Sequence, residues 1–328
     1  MVKINNEMFL AEKLFSDVEK VPSRDGYGKG LVELGEKNKE VVVLCADLTE
    51  STRSNWFKEK FPQRFFEIGV AEQNMMGIAA GLALEGKIPF VSSYAVFSPG
   101  RNWDQLRVSV CYTQANVKIG GMHAGISVGP DGATHQALED IAITRVLPNL
   151  KVVVPCDWVQ GKKATIAAGE AKGPYYLRFG REKVPVVTSE KTPFEIGQAD
   201  IYTEGSDVAI IACGAMVYES LLACKELEKF GISAMVVNCH TVKPIDRETI
   251  AKAARKCGAV VTAEEHQING GMGSAVLEVL AEDYPVKSKR VGMMDAFGES
   301  GTPDELLKKY GMYSGKIIEA CQQVVKRR

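Results

Sequence analysis

Short β-branched runs alternate with helix-length amphipathic segments along the whole chain. In the first half, a helix expected over residues 24–39 precedes a buried strand at residues 41–45. In the second half, a strand at 207–212 precedes a helix at 216–230. This alternation is typical of a parallel sheet flanked by helices. Because no residue pattern recurs at a fixed period, a repeat solenoid is excluded, and the sequence predicts an α/β fold.

The length of the chain allows two such units. It has 328 residues, whereas a typical domain has about 150. A polar stretch punctuated by prolines, REKVPVVTSEKTP at residues 181–193, interrupts the alternation near the middle. We therefore predict two consecutive domains, residues 1–187 and residues 188–328, each a mostly parallel sheet flanked by helices.

Charge and hydropathy exclude several classes of partner. The formal net charge is -1, so the chain has no basic surplus that would attract nucleic acid or anionic lipid. No apolar run approaches the roughly 18 residues that a membrane span needs. The eight cysteines form no CxxC pair, which favours buried, reduced thiols over disulfides or a cysteine metal site. We expect a cytoplasmic protein with no nucleic-acid or membrane partner.

An acidic residue stands at the start of a helix that is rich in small side chains. The helix is predicted over residues 71–85, and Glu72 lies in its first turn, where the helix dipole stabilises a carboxylate. Gly77, Gly81 and several alanines give up helix propensity, which indicates a tightly packed core or a subunit interface. A partly buried Glu72 in such a place could exchange a proton near neutral pH, although a simple helix-start acid is the commoner role.

A glycine-rich loop at residues 120–139 contains His123, Asp131 and His135. We expect Thr134 to cap a helix over residues 136–145. A zinc site is the main alternative, but the spacing of the two histidines and the aspartate matches no standard ligand pattern, and no cysteine is near. Recognition of a polar substrate is therefore the favoured role of this loop.

Two further pairs of residues, one aromatic and one of arginines, each have two possible roles. Tyr94 and Phe97 follow a predicted strand and could pack in the core or form a stacking wall for a flat heterocycle. Arg178 and Arg181 flank a turn in YLRFGR and could bind a phosphate or carboxylate, or be solvated. The residues alone do not decide between these roles.

Several motifs, taken in order and spacing, resemble the C-terminal half of the transketolase family. They are ADLTES at residues 46–51, FEIGVAEQNMMG at 66–77, HAGISVGPDGATHQ at 123–136 and FGESGTPDEL at 297–306. The resemblance implies a pyrimidine-binding domain followed by a transketolase C-terminal domain. It also implies a thiamine-diphosphate enzyme of the pentose phosphate pathway that transfers a two-carbon ketol unit from a ketose phosphate to an aldose phosphate.

The resemblance assigns a role at the cofactor to seven residues. Glu72 corresponds to the glutamate that hydrogen-bonds N1′ of the aminopyrimidine ring and promotes its imino tautomer. Tyr94 and Phe97 correspond to aromatics that stack against this ring, and Arg101 stands near a third aromatic, which a guanidinium stack would replace. The remaining expected cofactor contacts are Asp47, Leu48 and Val70.

The resemblance also assigns the substrate contacts. Asp131 and His135 correspond to residues that meet the hydroxyls of the sugar, and His135 is the expected proton-transfer group. Ser51, His123 and Arg181 correspond to the group that holds the sugar phosphate. Glu72 and His135 are thus the expected catalytic pair.

One part of the family pattern is missing. No segment of the chain matches the GDG motif and following asparagines that bind the diphosphate and Mg²⁺, which need hard oxygen ligands at fixed positions. We therefore predict no metal ligand in this chain. A separate N-terminal subunit would carry the GDG…N site and Mg²⁺, and self-association through the pyrimidine-binding domain would give an α2β2 heterotetramer.

Other functions remain alternatives. The chain could be half of a 1-deoxyxylulose-5-phosphate synthase-like enzyme, against which His123 weighs, or of a 2-oxoacid dehydrogenase β-like enzyme, against which the DGATHQ loop weighs. A transketolase acting on an unusual sugar phosphate is a third possibility. A non-catalytic regulatory paralogue is a fourth, disfavoured by the presence of Glu72, His123 and His135.

Overall fold

The computed structural model describes residues 2–325. Its strands are β1 (Lys20–Pro22), β2 (Val41–Cys45), β3 (Phe65–Glu67), β4 (Ile88–Tyr94), β5 (Lys118–Met122), β6 (Lys151–Val153), β7 (Tyr175–Arg178), β8 (Lys183–Pro185), β9 (Asp200–Ile201), β10 (Val208–Ala212), β11 (Ala234–Asn238), β12 (Thr241–Lys243), β13 (Ala259–Gln267) and β14 (Lys287–Met293).

The helices alternate with these strands. They are α1 (Ser23–Lys37), α2 (Asn55–Lys60), α3 (Glu72–Leu84), α4 (Trp103–Gln105), α5 (Asp140–Arg145), α6 (Trp158–Glu170), α7 (Met216–Leu227), α8 (Arg247–Cys257), α9 (Met272–Asp283), α10 (Pro303–Lys309) and α11 (Ser314–Val324). A π-helix at Leu106–Tyr112 continues α4, and 3₁₀ turns occur at Asn6–Met8, Pro62–Arg64, Ile126–Asp131 and Glu228–Phe230. None of the helices in the described part is long and apolar enough to cross a membrane.

The first half of the chain contributes six strands to a seven-stranded sheet, and β12 of the second half completes it in the order β12-β6-β7-β5-β4-β2-β3. All neighbours are parallel except β12, which runs antiparallel to β6. Every residue of β2 is buried, as expected where helices cover both faces of a parallel sheet. Tyr27 and Leu31 of α1 lie in the cluster on one face, whereas Met75 and Met76 of α3 belong to another cluster.

The second half builds a five-stranded sheet in the order β14-β13-β10-β11-β9, parallel except for β9. Helices α7 and α11 share one hydrophobic cluster with it, and α8 and α9 share another. The α/β architecture with two mostly parallel sheets is confirmed.

Two segments link the halves. The N-terminal residues pair with the second half, because Asn5 N donates to Tyr202 O at 2.9 Å and Glu204 N donates to Lys3 O at 2.9 Å. In the other direction, β12 of the second half extends the first sheet. The limits at residues 187 and 188 stay a prediction, and these exchanges show that the halves share backbone contacts.

The stretch between the halves is fixed in place. Its strand β8 pairs with β1. The buried carboxylate of Asp157 then accepts hydrogen bonds from Val187 N at 2.8 Å and from Thr188 N at 2.6 Å. The polar sequence therefore forms an anchored connection.

The glycine-rich loop differs from its prediction. The helix expected over residues 136–145 begins only at Asp140, so the expectation that Thr134 caps it is wrong. The hydroxyl of Thr134 lies 2.9 Å from His135 Nδ1 instead. The preceding turn at Ile126–Asp131 is interrupted at Gly129, whose φ of 77° only glycine adopts readily. The chain therefore cannot continue as a helix there.

Candidate active site

The candidate residues gather at the carboxyl edge of the first sheet. Parallel strands end at a common edge, where ligands bind in open α/β sheets. The carboxyl ends of β2, β3, β4, β5 and β7 and the segments that follow them bring there Asp47, Leu48, Ser51, Val70, Glu72, Tyr94, Phe97, Arg101, His123, Asp131, His135 and Arg181.

Glu72 begins α3 and its side chain is 1% exposed. Arg101 Nη1 donates a 2.8 Å hydrogen bond to Glu72 Oε2, although the side chain of Arg101 is 47% exposed. Asn102 Nδ2 donates to the Glu72 carbonyl oxygen at 3.2 Å. The glutamate is therefore a buried carboxylate with a half-exposed cationic partner.

An aromatic wall continues from this ion pair. The Arg101 guanidinium lies 4.7 Å from the centre of the Phe97 ring, a cation–π contact. The rings of Phe97 and Tyr94 are nearly parallel and stacked, with centres 6.1 Å apart and an angle of 20° between their planes. The two aromatics left open by the sequence therefore line the site, with Arg101 at one end of the wall.

His123 packs on the other end of the wall. Its ring stacks on Tyr94 with centres 4.0 Å apart. Its backbone is left-handed, with φ of 52°, a sparsely populated conformation for a non-glycine residue. Burial and the nearby cations Arg24, Arg181 and Arg53 lower the pKa of His123 to about 3, so its imidazole is neutral near pH 7.

The other loop residues face the same wall. The His135 ring meets Phe97 edge-on at 5.4 Å and Tyr94 at 6.2 Å. Arg181 Nη1 donates to Asp131 Oδ1 at 3.0 Å. The structure thus places His135 and Asp131 near the residues predicted to meet the cofactor and the phosphate.

Arg24 belongs to the site and was missed by the sequence analysis. It contacts His123 Nε2 and donates to the Ser51 carbonyl oxygen at 2.9 Å. Burial and the cation Arg53 lower the pKa of Arg24. A cation in the first turn of α1 opposes the helix dipole, and that position is the one signal that could have indicated a ligand role.

Glu67 is a second missed residue. Its carboxylate accepts hydrogen bonds from Asp47 N at 2.7 Å, from the Thr49 hydroxyl at 2.7 Å and from Gly69 N at 3.2 Å. It thereby holds Asp47 at a left-handed φ of 58°. Glu67 organises the rim formed by the segments after β2 and β3.

Arg178 lies apart from the site. It forms a buried ion pair with Asp140 at 2.7 Å. Tyr176 also donates to Asp140 at 2.7 Å. Burial acts to raise the pKa of Asp140, but Arg178 and these hydrogen bonds keep it below its usual value. Of the two arginines in YLRFGR, only Arg181 reaches the candidate site.

Within residues 2–325, no three or more histidine, cysteine, aspartate or glutamate side chains are arranged to hold a metal ion.

The site combines a buried acid, an aromatic wall and a group of arginines on an α/β sheet edge, an arrangement that could hold a flat heterocyclic cofactor beside an anion. Each half of the chain matches a known protein family. Residues 19–187 match the family described as "Transketolase, pyrimidine binding domain". Residues 197–317 match "Transketolase, C-terminal domain". The chain belongs to the transketolase family.

Individual proteins that are similar to this chain are also named as transketolases or parts of them. A Methanocaldococcus jannaschii protein named "Putative transketolase C-terminal section" is 47% identical over 307 residues, 93% of this chain and 96% of that protein. The 6-deoxy-6-sulfo-D-fructose transketolase subunit SqwH of Clostridium sp. is 43% identical over 305 residues, 93% of this chain and 95% of that protein. A solved structure titled "Split gene transketolase, inactive beta4 tetramer" has a TM-score of 0.88 at 50% identity, covering 94% of this chain and 100% of that chain.

Proposed function

We propose that this chain is the C-terminal subunit of a two-component transketolase that depends on thiamine diphosphate. In this proposal it moves a two-carbon ketol unit from a ketose phosphate to an aldose phosphate. The observation that carries the proposal is one continuous series of contacts. It links Glu72, Arg101, Phe97, Tyr94, His123, Arg24 and Ser51. A cofactor acid, a ring-binding wall and an anion site are therefore adjacent.

The residues fit the aminopyrimidine part of the cofactor. Glu72 is a buried carboxylate beside the aromatic wall, and Val70 offers an apolar side chain that is 69% exposed. We assign Glu72 to the ring nitrogen N1′, Tyr94 and Phe97 to its face, and Asp47, Leu48 and Val70 to the rim. When bound, thiamine diphosphate supplies the carbon nucleophile for ketol transfer. Glu72 holds or releases a proton at N1′.

The anion site fits the substrate. Arg24, Ser51, His123 and Arg181 would hold the phosphate, because guanidinium groups form strong charge-assisted hydrogen bonds with its oxygens. The neutral His123 can form a hydrogen bond with the phosphate without adding a further positive charge. Asp131 and His135 would meet the sugar hydroxyls, with His135 moving a proton at a hydroxyl oxygen.

A separate N-terminal subunit would complete the site. The absence of a GDG…N segment from the sequence supports placing the diphosphate, Mg²⁺ and their ligands on that partner. Two relatives are named as a section or a subunit of a transketolase, which supports a two-component enzyme.

Self-association would use the outer face of α3. Gly77 and Gly81 have no neighbouring atom that an added Cβ would meet within 4 Å. Leu84 is exposed, and Tyr112 of the π-helix is 83% exposed. Exposed small and apolar residues of this kind suit contact with a second copy of the same chain, which would give the proposed α2β2 heterotetramer.

The location is also part of the proposal. All eight cysteines are free and buried, which supports a reducing compartment and hence the cytoplasm.

The decisive assay combines the chain with a candidate N-terminal subunit, thiamine diphosphate, Mg²⁺, xylulose 5-phosphate and ribose 5-phosphate. We expect transfer only by the complex. The matched control is Glu72→Gln, which keeps the side-chain shape and assembly and should abolish transfer. Full turnover by the isolated chain would overturn the split-site proposal, and near-normal turnover by Glu72→Gln would overturn the assigned mechanism.

The sugar is tested separately. Because one relative is named for 6-deoxy-6-sulfo-D-fructose, a sulfonated ketose is the second donor to try. A sulfonate carries three acceptor oxygens that the same arginines can bind. If only the sulfonated donor supports transfer, the chain is still part of a transketolase, but the proposed anion site binds a sulfonate instead of a phosphate.

A further inference from the structure

We propose that the second half of the chain positions the substrate loop, defined as residues 123–136, and that Gln136 is the positioning residue that links them. The inference rests on the proposed function, because it concerns recognition of the sugar by Asp131 and His135. It assigns the C-terminal domain a part in substrate binding.

Gln136 is buried and reaches across to the second half. Its Nε2 donates to Glu299 O at 2.9 Å and to Ile126 O at 3.2 Å. One amide group thus joins the start of the substrate loop to the segment that precedes α10. Gln136 directly follows His135 along the chain, so a shift of the amide moves the proposed proton-transfer residue.

Glycines allow the two segments to approach closely. A Cβ at Gly298 would overlap the side chains of Gln136 and Ile126. A Cβ at Gly132 would lie 2.7 Å from Ser300 Oγ. These separations are below ordinary van der Waals contact, so the 298–300 segment and the substrate loop are packed without spare space.

A second contact from the other half holds the beginning of the loop. Glu265 at the end of β13 accepts a 2.7 Å hydrogen bond from Ser127 N. A Cβ at Gly125 would overlap the Glu265 carboxylate. The loop is therefore held at two places by the second half, with Asp131 between them.

These two contacts hold in place the segment that carries Asp131 and His135. Asp131 is itself paired with Arg181 at 3.0 Å, and Arg181 also donates to Val128 O at 2.8 Å. A displacement of about 1 Å at a substrate-positioning group can cost roughly a hundredfold in rate. Loss of the Gln136 contact should therefore impair sugar binding more than cofactor binding.

The test uses the complete two-subunit enzyme and the variant Gln136→Met, which has similar volume and cannot donate. We expect KM for the ketose phosphate to rise about 10- to 100-fold. The thiamine diphosphate dissociation constant should stay near the wild-type value, and the complex should remain folded and assembled. The matched control is Gln323→Met in α11 of the second half, where the exposed side chain accepts a hydrogen bond from Lys289; its KM should not change.

Gly298→Ala tests the same contact from the other side, and it applies if Gln136→Met fails to fold. We expect the same rise in KM. If both variants leave KM unchanged, or if they weaken cofactor binding as much as sugar binding, the proposal is wrong.

A double-mutant comparison separates positioning from general packing. If Gln136 acts through the loop, Asp131→Asn combined with Gln136→Met should raise KM no further than the more severe single change. Strictly multiplicative effects would overturn the inference. Absence of transfer by the wild-type complex would instead refute the proposed function, so the two failures are distinguishable.

Discussion

Arg101 Nη1 donates a 2.8 Å hydrogen bond to the carboxylate of Glu72, the buried acid at the start of α3. The proposed pyrimidine ring would use the same carboxylate. Arg101 therefore places a positive charge beside the acid. Under the proposed function, the ring and Arg101 would share this carboxylate, and the half-exposed side chain of Arg101 would shift to admit the ring.

Replacing this arginine tests the relationship. Arg101→Gln should lower the free energy of unfolding of the isolated chain by about 1–2 kcal/mol, because Glu72 loses its charged partner. The effect is smaller than for a fully buried pair, since water reaches Arg101. Urea unfolding measures the change, and Arg101→Lys is the control that keeps the charge. The deficit should shrink when the partner and thiamine diphosphate are added. An unchanged midpoint for the glutamine variant would contradict a stabilising pair.

The missed residue Arg24 leads to a second prediction. Arg24→Gln removes one cation from the anion site and should raise KM for the phosphorylated sugar about 10- to 100-fold, since hydrogen bonds to charged groups contribute about 1.5–3 kcal/mol. Inorganic phosphate should also inhibit the variant complex less strongly. Arg247→Gln on α8 is the comparison, because Arg247 pairs with Glu282 at 2.8 Å and Asp283 at 2.7 Å on the exposed surface of the second half. Equal KM values for wild type and Arg24→Gln would remove Arg24 from the site.

The pKa of His123 predicts how stability depends on pH. Its imidazole has a pKa of about 3 in the folded chain and about 6.5 when unfolded. The unfolded state therefore binds an extra proton between these values. The stabilisation from this group is fully present above pH 6.5 and is lost as the pH falls towards 3, at about 1.4 kcal/mol per pH unit.

His123→Asn isolates this contribution, and asparagine tolerates the left-handed backbone at this position. The unfolding free energy of the wild type, relative to that of the variant, should fall by about 2 kcal/mol from pH 7.5 to pH 5. Other titrating groups are common to both proteins and largely cancel. Denaturant titrations at the two pH values measure the difference. A constant difference would mean that His123 titrates alike in the folded and unfolded chains.

Features that depend on residues close together in the sequence could be predicted from the sequence. Strand β2 was predicted with its observed bounds, residues 41–45, because a continuous apolar run between helical segments is a local signal. The same holds for Glu72, whose place in the first turn follows from the end of the preceding strand.

Non-local contacts could not be predicted in this way. Arg24 and His123 are 99 positions apart, and only the order of β2, β4 and β5 in the sheet brings the start of α1 to the end of β5. Tyr94 and Phe97 stayed ambiguous because their orientation depends on the fold of the segment after β4. Gln136 carried no separate signal, since its partner lies 163 positions away.

The outer face of α3 gives the last prediction. Gly77 has open space around an added Cβ, so Gly77→Ala should stabilise the unassociated chain by about 0.5–1 kcal/mol through helix propensity. Gly77→Leu should fold as well but prevent self-association, because a branched side chain separates two helices that need close approach. Sedimentation velocity measures the oligomeric state. The control Glu248→Leu adds the same side chain on α8, at an exposed helix position, and should leave assembly unchanged. If Gly77→Leu assembles like wild type, α3 does not form the interface.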